Sequence, residues 1–515
     1  MLRKIRIVLS VLFFGLTTFY FLDFAGVLPE SFSLVARIQL VPALLSFSLL
    51  TLLVLVALTL LMGRIYCSVI CPMGIFQDVL NWLSHKMPGK KKRFHYSAAK
   101  TILRWTVVAV TVVSYLCGFT LLLGLLDPYS AFGRMVTNVF RPLYMVGNNL
   151  LESVLSRFEN YALYQVDASL TSLSAFFIGL ATFLVIGHLA WHHGRTWCNT
   201  MCPVGTLLGF LSRFSLLKVR IDQNKCTHCM RCGTRCKSSC IDSKLGQIDY
   251  SRCVDCFDCL ESCKEGALVY SLPSAALKKQ AKPEEKPQPE TDSSRRRFLL
   301  AGLTTMAATG KMMAQAPQIA SKQNSNKRYT RQRPLTPPGS VSLAHFQENC
   351  TSCHLCVSKC PSHVLKPAFM EYGLSGMMQP TVYFEKGFCN YDCTVCSDVC
   401  PNGAIKPLTI EQKHRTQMGK VVFIEENCIV HLEGTNCGAC SEHCPTQALS
   451  MVPYKNGLTI PHVDTSICVG CGGCEYVCPA RPFRAVYIEG NEVHQEAKPF
   501  VEKKEDKIEV DDFGF

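Results

Sequence analysis

Thirty cysteines lie in this chain of 515 residues, and their spacing, more than their number, sets the chemistry open to them. Twenty-four fall into six groups of four. Cys226, Cys229, Cys232 and Cys236 follow the pattern C-x2-C-x2-C-x3-C, as do Cys253, Cys256, Cys259 and Cys263. Two further regular groups end in Cys-Pro: Cys350, Cys353, Cys356 and Cys360, and Cys468, Cys471, Cys474 and Cys478. Between them, Cys389, Cys393, Cys396 and Cys400 widen the first gap by one residue, and Cys428, Cys437, Cys440 and Cys444 widen it to eight intervening residues. In this pattern three closely spaced thiolates grip three irons of one cubane, and the fourth cysteine reaches a neighbouring cluster. The expectation is six [4Fe–4S] clusters, with these 24 cysteines as iron ligands. Zinc sites also use CxxC, but typically as two separated knuckles around one tetrahedral ion. A disulfide scaffold belongs to small secreted chains, and this chain is too long for one. By the exchange rule Cys226, Cys229 and Cys232 should share a site with Cys263, and Cys253, Cys256 and Cys259 one with Cys236. Cys240, four residues past Cys236, is either a spare thiol or a rival ligand.

Four of the remaining six cysteines belong to a second repeat. Gly63-Arg64-Ile65-Tyr66-Cys67-Ser68-Val69-Ile70-Cys71-Pro72-Met73-Gly74 matches Gly194-Arg195-Thr196-Trp197-Cys198-Asn199-Thr200-Met201-Cys202-Pro203-Val204-Gly205 at six of twelve positions. Each segment follows an apolar stretch, so both CxxxCP turns belong at one face of a membrane unit. Cys67, Cys71, Cys198 and Cys202 are either reduced structural thiols, a reversible disulfide, or an additional redox or metal site. Cys117, inside an apolar stretch, is expected to be a small buried hydrophobe. His188, His192 and His193 close the last apolar stretch; they are either solvated interface residues or the catalytic candidates for meeting a quinone headgroup.

The elements that must position these groups begin with four apolar stretches, each near the 20 residues that a bilayer crossing takes. They run from Ile5 to Leu22, Leu40 to Met62, Ile102 to Leu126 and Ala168 to Leu189. Arg64, Lys86, Lys90, Lys91, Lys92, Arg93 and Lys100, opposed by Asp78, lie between the second and third. Only Arg134, Arg141 and Arg157 are basic between the third and fourth. The positive-inside rule puts the N-terminus, the 63–100 loop and the chain after Leu189 in the cytoplasm. A hydrophobic content of 48% and a mean hydropathy of +0.16 agree with a multi-pass membrane protein. The formal net charge of +14 needs no nucleic-acid partner, since each cluster with four thiolates contributes about −2 when oxidised.

The expected organisation is a four-helix membrane domain (1–205), a cytoplasmic two-cluster ferredoxin domain (206–270), and a Pro-, Lys- and Glu-rich linker (271–294). A segment at 295–316 follows, then a four-cluster ferredoxin domain (317–490) and a charged tail (491–515). The fold class is an α-helical membrane domain joined to α+β bacterial-ferredoxin-like domains. Ser293-Ser294-Arg295-Arg296-Arg297-Phe298-Leu299-Leu300, with Ala314-Gln315-Ala316 beyond it, reads either as a twin-arginine export signal or as a basic patch beside a short amphipathic helix. Export of a folded domain reconciles clusters assembled in the reducing cytoplasm with residues 317–515 in the periplasm.

The chain resembles a fusion of two families from periplasmic nitrate-reductase electron supply. Residues 1–270 resemble the NapH-type membrane ferredoxin, through the four spans, both CxxxCP segments and two cluster motifs. Residues 290–490 resemble the NapG/MauM-type periplasmic ferredoxin, through the arginine signal and four motifs with an elongated third. The resemblance implies a quinol dehydrogenase-like subunit of the bacterial inner membrane. Its partners would be the menaquinol pool and a periplasmic reductase, or a ferredoxin or cytochrome acceptor. It also implies nested pairing in the distal block, with Cys478 completing the Cys350 cluster and Cys360 the Cys468 cluster. A membrane redox sensor or maturation factor is the alternative, although the chain carries no Walker or GxGxxG motif.

Overall fold

The computed structural model describes residues 1–24, 26–87, 94–168, 170–272 and 327–499. The basic run Lys90–Arg93, the linker beyond Leu272, the 295–316 segment and the tail from Phe500 lie outside the described residues. Helix α1 (Leu2–Leu22) forms the first apolar stretch as one piece. The hydroxyls of Ser10, Thr17 and Thr18 donate back to the carbonyls of Ile7, Phe13 and Phe14, satisfying themselves within an apolar helix. The second stretch is broken into α2 (Leu40–Leu45) and α3 (Leu49–Met62), because Phe47 turns to φ 52° between Ser46 and Ser48. The first CxxxCP turn then folds as α4 (Ile65–Val69) and α5 (Pro72–Lys86), with Pro72 at a first-turn position where no amide donor is needed.

The third stretch is broken too, into α6 (Thr101–Leu116) and α7 (Leu121–Leu126), with Gly118 at φ 77° between them. Apolar composition set the extent of these two stretches but not their continuity. Cys117 ends α6 and is exposed, contrary to the buried site expected. The sequence between the third and fourth stretches forms α8 (Pro128–Met135), a π-helical turn over Val136–Phe140, and α9 (Arg141–Leu155). Asp127 caps α8, accepting from the amide of Ser130 at 2.8 Å, a contact worth about 1 kcal/mol. Helix α10 (Leu173–His193) is again unbroken, and the second CxxxCP turn repeats the first as α11 (Thr196–Thr200) and α12 (Pro203–Leu211). The domain boundary expected at 205/206 therefore falls inside α12. Among the described residues two helices, α1 and α10, are long and apolar enough to cross a membrane, and α3 and α6 are shorter apolar helices.

The proximal block uses two antiparallel pairs. Strand β1 (Lys218–Ile221) pairs with β4 (Leu268–Ser271), and β2 (Ile241–Asp242) with β3 (Gln247–Ile248), so outer strands enclose inner ones and one cysteine motif lies in each half. In the distal block β5 (Leu365–Pro367) pairs with β6 (Pro380–Val382) between the first two motifs. Strand β7 (Thr416–Phe423) pairs with β10 (Val486–Glu496), and β8 (Leu449–Pro453) with β9 (Thr459–Val463), around the last two. The last two motifs thus repeat the topology of the proximal block. The tail expected from 491 begins as strand: Gln495 and Glu496 lie opposite Gln417 and Thr416 beyond a register shift.

The two blocks seat on opposite ends of α1. Arg3 pairs with Asp258 of the proximal block at 2.8 Å and also with Glu261. Asp23 pairs with Lys359 of the distal block at 2.5 Å, and both side chains are buried. Helical rise over the twenty residues between separates those seats by about 30 Å.

Candidate metal centres

In the four regular motifs both neighbours of the second cysteine adopt left-handed backbone. The pairs are His228 and Met230, Asp255 and Phe257, Ser352 and His354, and Gly470 and Gly472. This turn curls the chain round a cavity and aims amides inward: those of Ser352 and Leu355 meet the sulfurs of Cys350 and Cys353. In the widened motifs Thr394 and Gly438, which follow the second cysteine, lie at φ −116° and −121°. The extra residues there relieve the tight turn.

Four cavities are each lined by four motif cysteines drawn from two motifs. In the proximal block one is lined by Cys226, Cys229, Cys232 and Cys263, and another by Cys236, Cys253, Cys256 and Cys259, the two sets that exchange predicts. Cys240 lines the second cavity as well, its sulfur 3.4 Å from that of Cys236, which places it as a fifth thiol in that cavity.

The nested pairing in the distal block is not what the fold builds. Cys350, Cys353 and Cys356 share a cavity with Cys400, and Cys428, Cys437 and Cys440 share one with Cys478. Cys396 lies within electrostatic reach of Cys360, Cys389 and Cys393, and Cys474 within reach of Cys444, Cys468 and Cys471. Pairing is therefore first with second and third with fourth. The reason is topological: β5–β6 closes the first two motifs on each other, and β7–β10 closes the last two. The two halves touch where the amide of Cys389 donates to the carbonyl of Cys471 at 2.9 Å.

Four thiols converging from two motifs on one cavity form the donor set of a cubane, and the chain supplies counter-charge and donors to match. Arg134 is 1% exposed and donates to the carbonyls of Thr351 and Ser352, beside Cys350 and Cys353. Lys413 Nζ stands 3.5 Å from Cys389 Sγ, the amide of Ala448 3.2 Å from Cys444 Sγ, and that of Ala485 3.3 Å from Cys478 Sγ. Donors to sulfur and nearby cations tune such centres.

The first motif of the distal block is held by α7 and α8. A Cβ at Gly124 would lie 2.8 Å from the carbonyl oxygen of Thr351, and one at Gly133 2.5 Å from that of Cys353. Asn138 meets His354 Nδ1 at 2.9 Å, and His354 Nε2 meets the carbonyl of Met378 at 2.8 Å. The proximal block is held by the glycine–arginine pairs that open the two CxxxCP turns. The amide of Arg64 donates to Asp255 at 2.9 Å, and that of Arg195 to the carbonyl of Lys237 at 2.9 Å. Both Gly63 (φ 79°) and Gly194 (φ 64°) touch the block so closely that a Cβ would lie 2.3 Å from Asp255 and 2.4 Å from Lys237.

Between the two seats lie Cys67, Cys71, Cys198 and Cys202, all buried and unbridged. Around them the charges are internal. Asp78 meets Arg6, Arg195 and Lys237. Burial alone would raise its carboxyl, but Arg195 and Lys237 hold it well below the usual range. Arg64, Asp78, Arg134 and Arg141 count as loop charges in the sequence but are buried, or nearly so, here. The arginine repeated ahead of each CxxxCP was the available signal for this role. His188, His192 and His193 are exposed at the end of α10, with the rings of His188 and His192 4.6 Å apart. The fold does not bring them to the cysteines.

A family described as a 4Fe-4S binding domain matches residues 45–91 and 170–222, and two families described as 4Fe-4S dicluster domains match 249–364 and 435–481. The chain thus carries ferredoxin-type 4Fe-4S domains. Its relatives are Nap and Mau proteins. It is 34% identical over 149 residues to the methylamine utilization ferredoxin-type protein MauM of Methylobacillus flagellatus, covering 28% of this chain and 63% of that one. It is 30% identical over 154 residues to the ferredoxin-type protein NapG of Escherichia coli, covering 28% and 65%. To the ferredoxin-type protein NapF of Escherichia coli it is 26% identical over 159 residues, covering 30% and 87%. The chain thus spans slightly less than two thirds of the MauM and NapG relatives. No solved structure matches.

Proposed function

We propose that this chain carries six [4Fe–4S] clusters and conducts electrons across the bacterial inner membrane, from menaquinol to a periplasmic reductase or to a ferredoxin or cytochrome acceptor. The observation that carries this reading is the seating of two ferredoxin-type blocks at opposite ends of α1, about 30 Å apart, which is the thickness of a bilayer's hydrocarbon core. The helices between them present apolar side chains outward: Val8 and Leu12 on α1, Leu53 and Val54 on α3, Val112 and Val113 on α6, and Leu184 and Val185 on α10 are all exposed. In water such a belt would be an aggregation liability. In lipid it is the expected outer surface, and it supports a four-segment membrane unit with the proximal block cytoplasmic and residues 317–515 periplasmic.

Iron–sulfur clusters supply one-electron chemistry when bound. The chain's own residues fix position, exclude water and set charge. Menaquinol oxidation releases two protons and two electrons, and the electrons leave singly toward an external oxidant. His188, His192 and His193, exposed at the end of α10, are the candidates to accept a quinol proton. The purified full chain tests this directly. Menaquinol should bleach cluster absorbance within turnover time, and a chain that stays unbleached by a competent quinol contradicts the reading. A tag at the C-terminus should be accessible from the periplasm.

A further inference from the structure

We infer that Cys67, Cys71, Cys198 and Cys202 together hold one further iron–sulfur cluster, bound by four thiolates inside the helical unit between the two ferredoxin blocks. The inference does not depend on which donor or acceptor the chain serves. It begins with the repeat. The 4Fe-4S binding family matches once around each CxxxCP turn, and neither match contains more than two cysteines. A four-thiolate site therefore needs both copies, and the fold interlocks them. Arg195 of the second copy donates to the carbonyl of Cys67 in the first at 2.7 Å, and Arg64 of the first donates to Asn199 of the second at 3.0 Å. Gly74 and Gly205 are equivalent: a Cβ on either would lie 2.2 Å from the carbonyl of Cys67 or Cys198 respectively.

The charge around the four thiols calls for an anion. Arg64 is fully buried, and among the described residues its guanidinium forms no ion pair with a carboxylate. It meets Asn199, the carbonyl of Ser251 at 3.1 Å and Cys67 Sγ at 3.7 Å, and its Nε has no partner. Leaving a buried cation uncompensated is strongly unfavourable, whereas a cluster with four thiolates brings about −2. Arg134 stands in the same relation to Cys350 and Cys353. The sulfurs also have donors of the kind seen in the ferredoxin blocks. Gln77 Nε2 is 3.0 Å from Cys198 Sγ, and the amide of Gly205 is 3.3 Å from Cys202 Sγ. Gln77 Nε2 also donates to the carbonyl of Met73 at 3.2 Å, and its Oε1 is buried without a partner. Among the described residues no three potential ligands, these four included, close on a single metal ion. The ferredoxin sets share that wider spacing.

The test is differential. The full chain, purified without oxygen, should contain iron and acid-labile sulfide in excess of the roughly 24 atoms of each that six cubanes require. The double variant Cys67→Ser/Cys198→Ser should lose the excess, about two or four irons with matching sulfide, and one paramagnetic centre, while the ferredoxin signals persist. Cys117→Ser should lose nothing. Gln77→Leu keeps all four thiols and provides a second measurement should the double variant not fold. It should leave the iron content unchanged and lower the midpoint potential of a single centre. Unchanged iron and spectra in a folded double variant would overturn the inference. So would a disulfide between these cysteines, a metal bound without sulfide, or a Gln77→Leu protein in which no centre shifts.

Discussion

Arg195 in the second repeat holds the carbonyl oxygen of Cys67 in the first at 2.7 Å, while its Nε holds Asp78 at 2.7 Å. One fully buried guanidinium thus ties the two cysteine turns together and anchors them to α5. The same carboxylate meets Lys237 at 2.8 Å, one residue beyond Cys236, so docking of the proximal block and closure of the repeat share one anion.

Asp78→Asn should therefore destabilise the protein strongly. It leaves Arg6, Arg195 and Lys237 facing an amide, and breaking a buried pair typically costs about 3–5 kcal/mol. Because the folded carboxyl lies below its ordinary range, its contribution is complete at neutral pH and is lost only in acid. Chemical denaturation at pH 7 should show a large drop in midpoint, with proximal cluster absorbance lost before distal.

Sequential pairing makes a sharp distinction between two cysteines. In Cys400→Ser, Cys350, Cys353 and Cys356 should become open to alkylation, with Cys428, Cys437 and Cys440 still protected. Cys478→Ser should give the reverse. Mass spectrometry after brief alkylation reads both, and exposure of the Cys350 set by Cys478→Ser would restore the nested arrangement.

Gly133→Ala places a methyl against the carbonyl of Cys353 and the ring of Phe21. Overpacking of this kind costs about 1–3 kcal/mol. Hydrogen exchange should rise together over 128–140 and 350–356 as the distal block loosens from its seat, while β7 and β10 keep their protection.

His494 links stability to pH. Burial lowers its imidazole to about 4, against about 6.5 in an unfolded chain. Between those values the unfolded chain binds the proton and the folded one does not, so stability falls as pH drops from 6.5 toward 4. His494 Nε2 meets Thr336 Oγ1 at 2.7 Å, so His494→Gln offers the hydroxyl a replacement partner. Thermal unfolding of the parent between pH 7 and 5 should show a steeper decline than that of His494→Gln.

Much of this was legible because cysteine spacing is a local code. The four regular motifs specify their own loop, and exchange between Cys236 and Cys263 follows from two motifs in one small block. Exchange among four motifs does not, because the strands that choose partners for Cys360 and Cys400 are three residues long and carry little signal of their own. The helical unit was half legible. Composition marked α1 and α10, but Phe47 and Gly118 break the other two stretches at points where no proline or charge stands beside them; Pro42 and Arg104 lie well before the breaks. Arg134 was least legible: a lone arginine between apolar stretches looks like a solvated loop charge, and only the fold shows it facing the carbonyls of Thr351 and Ser352.

The seating of Lys359 on Asp23 has a consequence for the order of assembly. Asp23 is synthesised first, and its partner follows 336 residues later. Until then the carboxylate, the caged Arg134 and the glycines of α7 and α8 form an unfinished surface inside a helical unit already made. The distal block can close that surface only after it has been synthesised and folded. Closure of this contact is thus a docking event whose receptor is made well before the segment that docks.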